Sequence, residues 1–128
     1  MTNRRAIIAK DGAKPGGHYS HAIVANGFVF VSGQGSRHPQ TNELPSDFVG
    51  EVRQALRNVE AILDAAGTDL AHVVRVNAYL SDLGQFKAYN DVYKDFFPNQ
   101  PPARTTVGCL LNGINVEIDC IAVLPDGK

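Results

Sequence analysis

The residues whose types and spacing suit chemistry best lie late in the chain. Arg104 is followed by two carboxylates, Glu117 and Asp119, and the dipeptide Asn112-Gly113 lies between the arginine and the acids. Asn-Gly is the dipeptide that best tolerates the positive φ angles of a two-residue type I′ turn. The apolar, β-branched runs on either side of it therefore predict a β-hairpin.

Side chains alternate between the two faces of a strand, so one face of this hairpin carries Arg104, Thr106, Gly108, Glu117 and Asp119. The opposite face is predicted to be core and consists of Thr105, Val107, Cys109, Leu111, Val116, Ile118, Cys120 and Ala122. An arginine offers a planar fork that binds a carboxylate through two parallel hydrogen bonds. Gly108 opposite Glu117 leaves space for a water or a substrate. The polar face is therefore either a solvated surface with an incidental ion pair or a small-molecule site.

Length, composition and charge limit the class of protein. The 128 residues, with 44% hydrophobic content, fit a single domain over residues 1–128 with a sizeable core. The formal net charge is −1, from 12 basic and 13 acidic residues, and Arg4 and Arg5 form the only adjacent basic pair. Nucleic-acid binders usually carry a concentrated basic patch, so nucleic acid is not expected as the main partner.

The cytoplasm is the expected location. No apolar run approaches the roughly 18 residues of a membrane span, and the start of the chain has too short an apolar run for a signal peptide. Cys109 and Cys120 suggest no disulfide framework, and no cluster of cysteines and histidines has zinc spacing. We therefore expect a soluble protein in a reducing compartment, without a membrane partner or a bound metal.

The elements that must position the late residues can be predicted in chain order. The strands before the late hairpin are predicted at residues 5–9, 22–25, 28–31 and 73–80. The second and third of these form a tight hairpin, because Asn26-Gly27 separates them. The polar stretch 35–46 predicts a loop. In the fourth strand, alternation places Val74, Val76, Ala78 and Leu80 on one face.

Two amphipathic helices are expected. The first has Ser46 as N-cap and Gly67 as the C′ residue, and its apolar residues recur at three- and four-residue steps. Its solvated side carries Arg53, Arg57, Glu60 and Asp64. The second covers roughly residues 83–97, and its inward side is formed by Leu83, Phe86, Tyr89, Asn90, Tyr93 and Phe97. The order β-β-β-α-β-α-β-β predicts an α+β fold: a single, mostly antiparallel sheet with two helices packed on one face.

Several tracts of the chain resemble the Rid family of reactive intermediate deaminases, also called YjgF. The late tract Pro-Pro-Ala-Arg-Thr-Thr-Val, followed by Val-Glu-Ile-Asp-Cys-Ile-Ala-Val, is similar to the C-terminal signature of that family. Four shorter tracts follow the family's order: Tyr19-Ser20-His21-Ala22, Val31-Ser32-Gly33-Gln34, Ala65-Ala66-Gly67 and Asn90-Asp91-Val92-Tyr93. The resemblance covers nearly the whole chain.

The resemblance implies a chorismate-mutase-like fold that assembles as a homotrimer with sites between subunits. It also implies that Arg104 binds the substrate carboxylate and that Glu117 orients or activates the attacking water. The positions that match the family's pocket lining are Tyr19, Ser32, Gly33 and Asn90. Asp119 receives no catalytic role, and a surface or loop position is expected for His18 and His21.

The chain departs from the family pattern around the pocket. Thr106, counted here among the substrate-binding residues, stands where the family often has a cysteine. Gly17-His18-Tyr19 replaces the usual Gly-Pro-Tyr. These changes bear on the identity of the substrate more than on the fold.

The leading interpretation is an enzyme that hydrolyses reactive enamines or imines, of the 2-aminoacrylate type, to 2-keto acids and ammonia without a cofactor. One alternative is a pathway-specific deaminase, such as a 2-aminomuconate deaminase, in which Ser36, Arg37 and His38 offer charge to a second carboxylate. Another is a non-catalytic metabolite-binding or regulatory protein. A ribonuclease role ranks last, given the balance of charge.

The spacing of the two catalytic candidates bears on where the site lies. In the predicted hairpin, Arg104 and Glu117 lie four positions apart on one face, roughly 13 Å along a strand. A three-carbon imino acid spans much less than that. We therefore expect Arg104 of one subunit to meet Glu117 of its neighbour.

Overall fold

A computed structural model describes residues 3–125 as one mixed sheet with two helices. The six strands are β1 (Arg5–Ile7), β2 (Ala22–Ala25), β3 (Phe28–Gln34), β4 (Val73–Leu80), β5 (Ala103–Gly108) and β6 (Val116–Val123). The two α-helices are α1 (Phe48–Ala66) and α2 (Phe86–Phe96), and short 3₁₀ turns precede β4 and α2. The α+β class and the order of elements agree with the sequence prediction.

The first predicted hairpin is confirmed. β2 pairs with β3 in antiparallel register, with Ala25 opposite Phe28. Both turn residues have positive φ, 52° at Asn26 and 80° at Gly27, which is the geometry that a type I′ turn requires. The stretch 35–46 contains neither helix nor strand, as predicted.

Helix α1 has the predicted end but a different N-cap. The residue that caps its start is Asp47 and not Ser46, because the Asp47 carboxylate accepts the backbone N–H of Gly50 at 2.8 Å. At the other end Gly67 adopts φ 91°, and its N–H returns to the Asp64 carbonyl at 3.1 Å. The apolar stripe of the helix is buried, and the four predicted solvated residues are exposed.

Three details of the predicted inward faces are wrong. Thr105, Val107 and Cys109 are predicted to be core but are exposed, because β5 turns Arg104 and Thr106 to the helix side of the sheet.

The other two details concern β4 and α2. Val74 in β4 is 44% exposed, because the pairing with β6 shifts by one residue between Val73 and Arg75 and turns Val73 inward instead. A 3₁₀ turn delays the start of α2, and this leaves Leu83 and Phe86 exposed. The inward side of α2 is formed by Tyr89, Val92 and Tyr93.

The predicted hairpin around Asn112-Gly113 is wrong. The strand order is β1-β2-β3-β6-β4-β5, so β4 lies between the two late strands. β5 runs parallel to β4, whereas β6 is antiparallel to both of its neighbours, β3 and β4. A type I′ turn needs a positive φ at both central residues. Gly113 has φ 77°, but φ of Asn112 is not positive, so no such turn forms. Residues 109–115 instead cross the end of β4, where Leu80 and Ser81 hydrogen-bond to this segment.

Burial explains why the sheet prefers this arrangement. β6 alternates strictly between buried and half-buried residues and lies in the centre of the sheet. Its core-facing side chains are Val116, Ile118, Cys120 and Ala122, as predicted. A central strand packs these side chains against α1 and against β3 and β4 at once, whereas an isolated hairpin leaves one edge of β6 unpaired. No helix in residues 3–125 is long and apolar enough to cross a membrane.

Candidate active site

The strand register places Arg104 and Glu117 on opposite faces of the sheet. Arg104 is paired with Val76 in β4, and Val76 points into the core beneath the helices. Glu117 is paired with Tyr79 in β4. Tyr79 lies between the buried Ala78 and Leu80, so its side chain points to the opposite, uncovered face. Directly paired residues project to the same side of a sheet. The expectation that both residues share one face is therefore wrong, since it depended on the late hairpin.

The Arg104 side chain packs against aromatic rings of α2. Its guanidinium carbon lies 4.5 Å from the ring centroid of Tyr93, 5.4 Å from that of Tyr89 and 5.5 Å from that of Phe86. These distances are within the range of cation–π attraction. No acidic side chain in residues 3–125 forms a salt bridge with Arg104. The half-buried cation is therefore held in place by rings and has no anionic partner within the described residues.

The tyrosines beneath Arg104 are neutral at physiological pH. Burial raises the pKa of Tyr89 to about 12, although the charge of Arg104 opposes part of that rise. Burial raises the pKa of Tyr93 as well, with Tyr89 as the next cause. Because neither phenol ionises, neither competes as an anion for the guanidinium.

A cavity of about 350 Å³ opens beside Arg104. Asn90 also lines it, so the structure brings together two of the predicted site residues. Thr106 projects to the same side of β5, two residues further along, since it is paired with the buried Ala78. Its hydroxyl is buried and has no hydrogen-bond partner within residues 3–125.

Glu117 lies on the uncovered face in contact with Gly33. A Cβ atom built on Gly33 would be 2.5 Å from Oε2 of Glu117, so the missing side chain makes room for the carboxylate. The Glu117 carboxylate has no hydrogen-bond partner among the described side chains. The predicted role of Gly108 is wrong: a Cβ atom there would meet Leu83 at 2.8 Å. Gly33, not Gly108, is the glycine beside the glutamate.

Asp119 is engaged in a structural network, which fits the absence of a predicted catalytic role. Its carboxylate accepts Asn77 Nδ2 at 2.9 Å and the Tyr79 hydroxyl at 3.0 Å. Burial, followed by this hydrogen bond, raises the pKa of Tyr79. The two acids of β6 thus differ: one is hydrogen-bonded to its neighbours and the other is available.

Ser32 and Tyr19 belong to the segment next to Gly33. The Ser32 hydroxyl donates to the Ser20 carbonyl at 2.7 Å and so ties the chain beside Tyr19 to β3. Tyr19 is exposed, and its hydroxyl accepts the Gly16 N–H at 3.0 Å. Ser32 is thus a positioning residue, whereas the Tyr19 ring is accessible.

Sequence reasoning missed several buried polar residues, among them Glu51, and the surface position expected for His21 is wrong. His21 is fully buried: Nδ1 accepts the Ala9 N–H at 2.8 Å, and Nε2 donates to the Ala13 carbonyl at 2.7 Å. Glu51 accepts the Ser36 hydroxyl at 2.6 Å and both nitrogens of Asn115. Each of these two residues connects a loop to the core. The position of Glu51 on the apolar side of α1 is the sequence feature that could have indicated its burial.

Residues 36–38, which one alternative assigns to a second carboxylate, make hydrogen bonds to α1 and within their own loop. Ser36 donates to the buried Glu51, and Arg37 donates to the Asn42 carbonyl at 3.1 Å. His38 Nδ1 accepts the backbone N–H of Gln40 at 3.2 Å. Residues 3–125 contain no group of three or more His, Cys, Asp or Glu side chains arranged to hold a metal ion.

Comparison with known proteins gives consistent matches over nearly the full length. The family model described as endoribonuclease L-PSP matches residues 10–124. A RutC family protein of Aquifex aeolicus is 42% identical, and the match covers 93% of this chain and 98% of that protein. A protein of Capra hircus named 2-iminobutanoate/2-iminopropanoate deaminase is 40% identical over 94% of this chain and 90% of its own. The crystal structure of RidA from a Psychrobacter species superposes with a TM-score of 0.90 at 34% identity, over 94% of this chain and 99% of that chain.

Proposed function

Since the chain belongs to the endoribonuclease L-PSP family, the YjgF/Rid proteins, we propose that it hydrolyses reactive 2-imino and 2-enamino acids to 2-oxo acids and ammonia. Substrates of the 2-aminoacrylate type are the expected class. The name of the Capra hircus relative describes this kind of chemistry in that protein. The properties of Arg104 and Glu117 support the same chemistry in this chain.

The observation that carries the proposal is the state of Arg104. The guanidinium is half-buried, rests on the Tyr93 ring and has no acidic partner within residues 3–125. A partly desolvated, unpaired arginine beside a cavity is suited to bind a carboxylate through two parallel hydrogen bonds. Asn90 lines the same cavity and supplies a further polar contact. This side of the site would hold the substrate by its carboxylate.

Glu117 would act on the water. Its carboxylate accepts a proton as the water oxygen attacks C2 of the imine, and a C–O bond forms while the C=N bond becomes single. Glu117 returns this proton to nitrogen, which gives a carbinolamine, and then transfers the proton of the new hydroxyl group to nitrogen as well, so that the C–N bond breaks and ammonia leaves as the carbonyl forms. Water and imino acid thus give 2-oxo acid and ammonia in balance, without an oxidant or a cofactor. Gly33 leaves the space in which the carboxylate lies.

The site would be completed between two copies of the chain. Arg104, Asn90 and Thr106 are on the helix side of the sheet, whereas Glu117 and Gly33 are on the other. A three-carbon substrate cannot reach through the sheet, so a neighbouring copy must supply the second group. We propose a homotrimer in which Tyr19 and Ser32 belong to the glutamate side. Contacts between two different patches are typical of ring assemblies.

The location follows from the sequence argument and from the cysteines. Cys109 and Cys120 are both free thiols, and free thiols suit a reducing compartment. The cytoplasm remains our proposal for this chain.

The test is the release of 2-oxo acid from freshly generated imines, measured above the rate of spontaneous hydrolysis. Arg104→Ala should abolish the catalysed rate and leave the fold intact. Arg57→Ala is the matched control, because Arg57 also lies over an α2 ring, that of Phe96 at 5.8 Å, but does not line the Arg104 cavity. A wild-type protein that binds 2-oxo acids without turnover would instead be a metabolite-binding protein. Full activity in Arg104→Ala would overturn the assignment of the carboxylate anchor.

A further inference from the structure

The cavity beside Arg104 contains a second cation. Four residues of the α2 segment line it at helical spacing: Asn90, Tyr93, Lys94 and Phe97. Residues separated by three or four positions share one face of a helix, so Lys94 faces the same space as the ring beneath Arg104. The remaining lining residues are Pro101, Pro102 and Arg104. The lining thus contains two cations and no acid.

The acids closest to Lys94 in sequence are paired elsewhere. Asp91 Oδ2 lies 2.9 Å from Nζ of Lys87, and Asp95 Oδ2 lies 3.4 Å from Nη2 of Arg53. Within residues 3–125, Lys94 itself forms no salt bridge. Within residues 3–125, neither cation of the cavity is therefore in a salt bridge, although the pKa of Asp91 is lowered by its hydrogen bond to Lys87 and also by the charge of Lys94.

The cavity is larger than a three-carbon imino acid needs, and part of its lining is apolar. Its volume is about 350 Å³, and Phe97, Pro101 and Pro102 add apolar surface to its lining. Such a space suits a short methylene chain that carries an anionic group at each end. A cation placed opposite each end recognises the substrate by its charge.

We propose that Lys94 binds a second, distal carboxylate, so that the chain prefers 2-imino acids derived from dicarboxylic amino acids. The inference rests on the proposed deaminase function, because it assigns a substrate class to the same site. Arg104 holds the carboxylate next to the imine, and Lys94 holds the one at the far end.

The catalytic test compares two imines, one generated from glutamate and one from 2-aminobutyrate. For wild type we expect the higher kcat/KM with the dicarboxylic imine. Lys94→Gln should lower that value about three- to fivefold, the usual range for an accessible ion pair, and Lys94→Glu should lower it further. The value for the monocarboxylic imine should change less than twofold in Lys94→Gln. Lys87→Gln is the matched control, since Lys87 is on the same helix but does not line the cavity.

A binding test separates this inference from the proposed function. Isothermal calorimetry with 2-oxoglutarate and 2-oxobutanoate needs no turnover. If no imine is hydrolysed but Lys94→Glu still selectively weakens 2-oxoglutarate, the deaminase proposal fails and the Lys94 assignment stands. The assignment is overturned if wild type binds neither compound. It is also overturned if Lys94→Glu leaves the ratio of the two affinities unchanged, whether or not both affinities fall.

Discussion

The three rings around the Arg104 guanidinium do two things at once. They hold the charged group at a fixed position, with cation–π contacts that each contribute on the order of 0.5–2 kcal/mol, and they exclude water from one of its faces. A lysine ammonium at the same position would keep the charge. It would lose the planar fork that fits a carboxylate and stack less well on the rings.

Arg104→Lys should therefore bind a 2-oxo acid more weakly by roughly ten- to hundredfold. That is the loss expected when a bidentate charged pair is replaced by a single contact, about 1.5–3 kcal/mol. The measurement is calorimetric titration with 2-oxobutanoate, together with kcat/KM on the matching imine. Equal affinity in the variant and the wild type would mean that charge alone, and not the shape of the guanidinium, holds the substrate.

Gly33→Ala should impair turnover while leaving the fold intact. The new methyl group would lie 2.5 Å from Oε2 of Glu117, so the carboxylate must move away. Because Glu117 is half-buried and its end is flexible, this movement costs little stability. A shift of about 1 Å in a catalytic group can lower the rate about a hundredfold. Measurements of kcat and of the melting temperature separate the two effects.

The Gly33 prediction also has an internal control. In a Glu117→Ala background the carboxylate is gone, so adding Gly33→Ala should not change the affinity for 2-oxobutanoate, which is measured without turnover. Wild-type turnover in Gly33→Ala alone would show that the position of this carboxylate does not matter.

At the scale of the elements, local signals predicted most of the structure. Asn26-Gly27 and Gly67 adopt the positive φ angles that their types favour, and the apolar periodicity of α1 matches its buried face. The failure at Asn112-Gly113 has a physical cause. A hairpin signal describes only the turn, whereas the choice of neighbour for β6 depends on β3 and β4, which are distant in sequence. The sequence is enough to choose Arg104 and Glu117 as candidates. The face of the sheet on which each residue lies can be determined only once the pairing partners of β5 and β6 are known.

Glu51 should be a large contributor to stability, since it connects α1 to the segment that crosses β4. It is buried and accepts hydrogen bonds from Ser36 and from two nitrogens of Asn115. Glu51→Ala leaves those donors without a partner, and we expect the free energy of unfolding to fall by about 2–3 kcal/mol. Urea denaturation measures it. Glu60→Ala, on the exposed side of the same helix, should change stability by less than about 0.5 kcal/mol.

A Glu51→Ala variant as stable as Glu60→Ala would show that the crossing segment is held by its other contacts. The comparison is direct because both substitutions remove a glutamate from the same helix and differ mainly in burial.

At the scale of the whole molecule, the helices cover one face of the sheet and leave aromatic and polar side chains on the other. Phe28 and Phe30 are exposed on this uncovered face together with Glu117 and Tyr79, which are only half-buried. The two halves of the candidate site therefore belong to different surfaces of one chain. This arrangement predicts that activity depends on contact between chains.

Inactive Arg104→Ala and inactive Glu117→Gln chains should restore activity when they are unfolded together and refolded as a mixture. If the chains mix at random in equal amounts, about one quarter of the interfaces carry one intact copy of each residue. Activity should therefore recover to about a quarter of the wild-type level. The measurement is imine hydrolysis by the refolded mixture.

Each variant refolded alone serves as the control and should stay inactive. Mass spectrometry of the intact assembly must show that mixed oligomers have formed. A mixture that contains them and still lacks activity would place both residues in the same site of one chain.

The central position of β6 has a consequence for how the chain is made. β6 is the last of the described strands and the only link between the group β1-β2-β3 and the pair β4-β5. A nascent chain that has emerged only as far as β5 holds two unconnected strand groups, each with an unpaired edge. Helix α1 can form early, but the sheet beneath it cannot close. Pairing of β6 with β3 and β4 joins both groups, and with them the surfaces of Arg104 and Glu117, in one late step of folding.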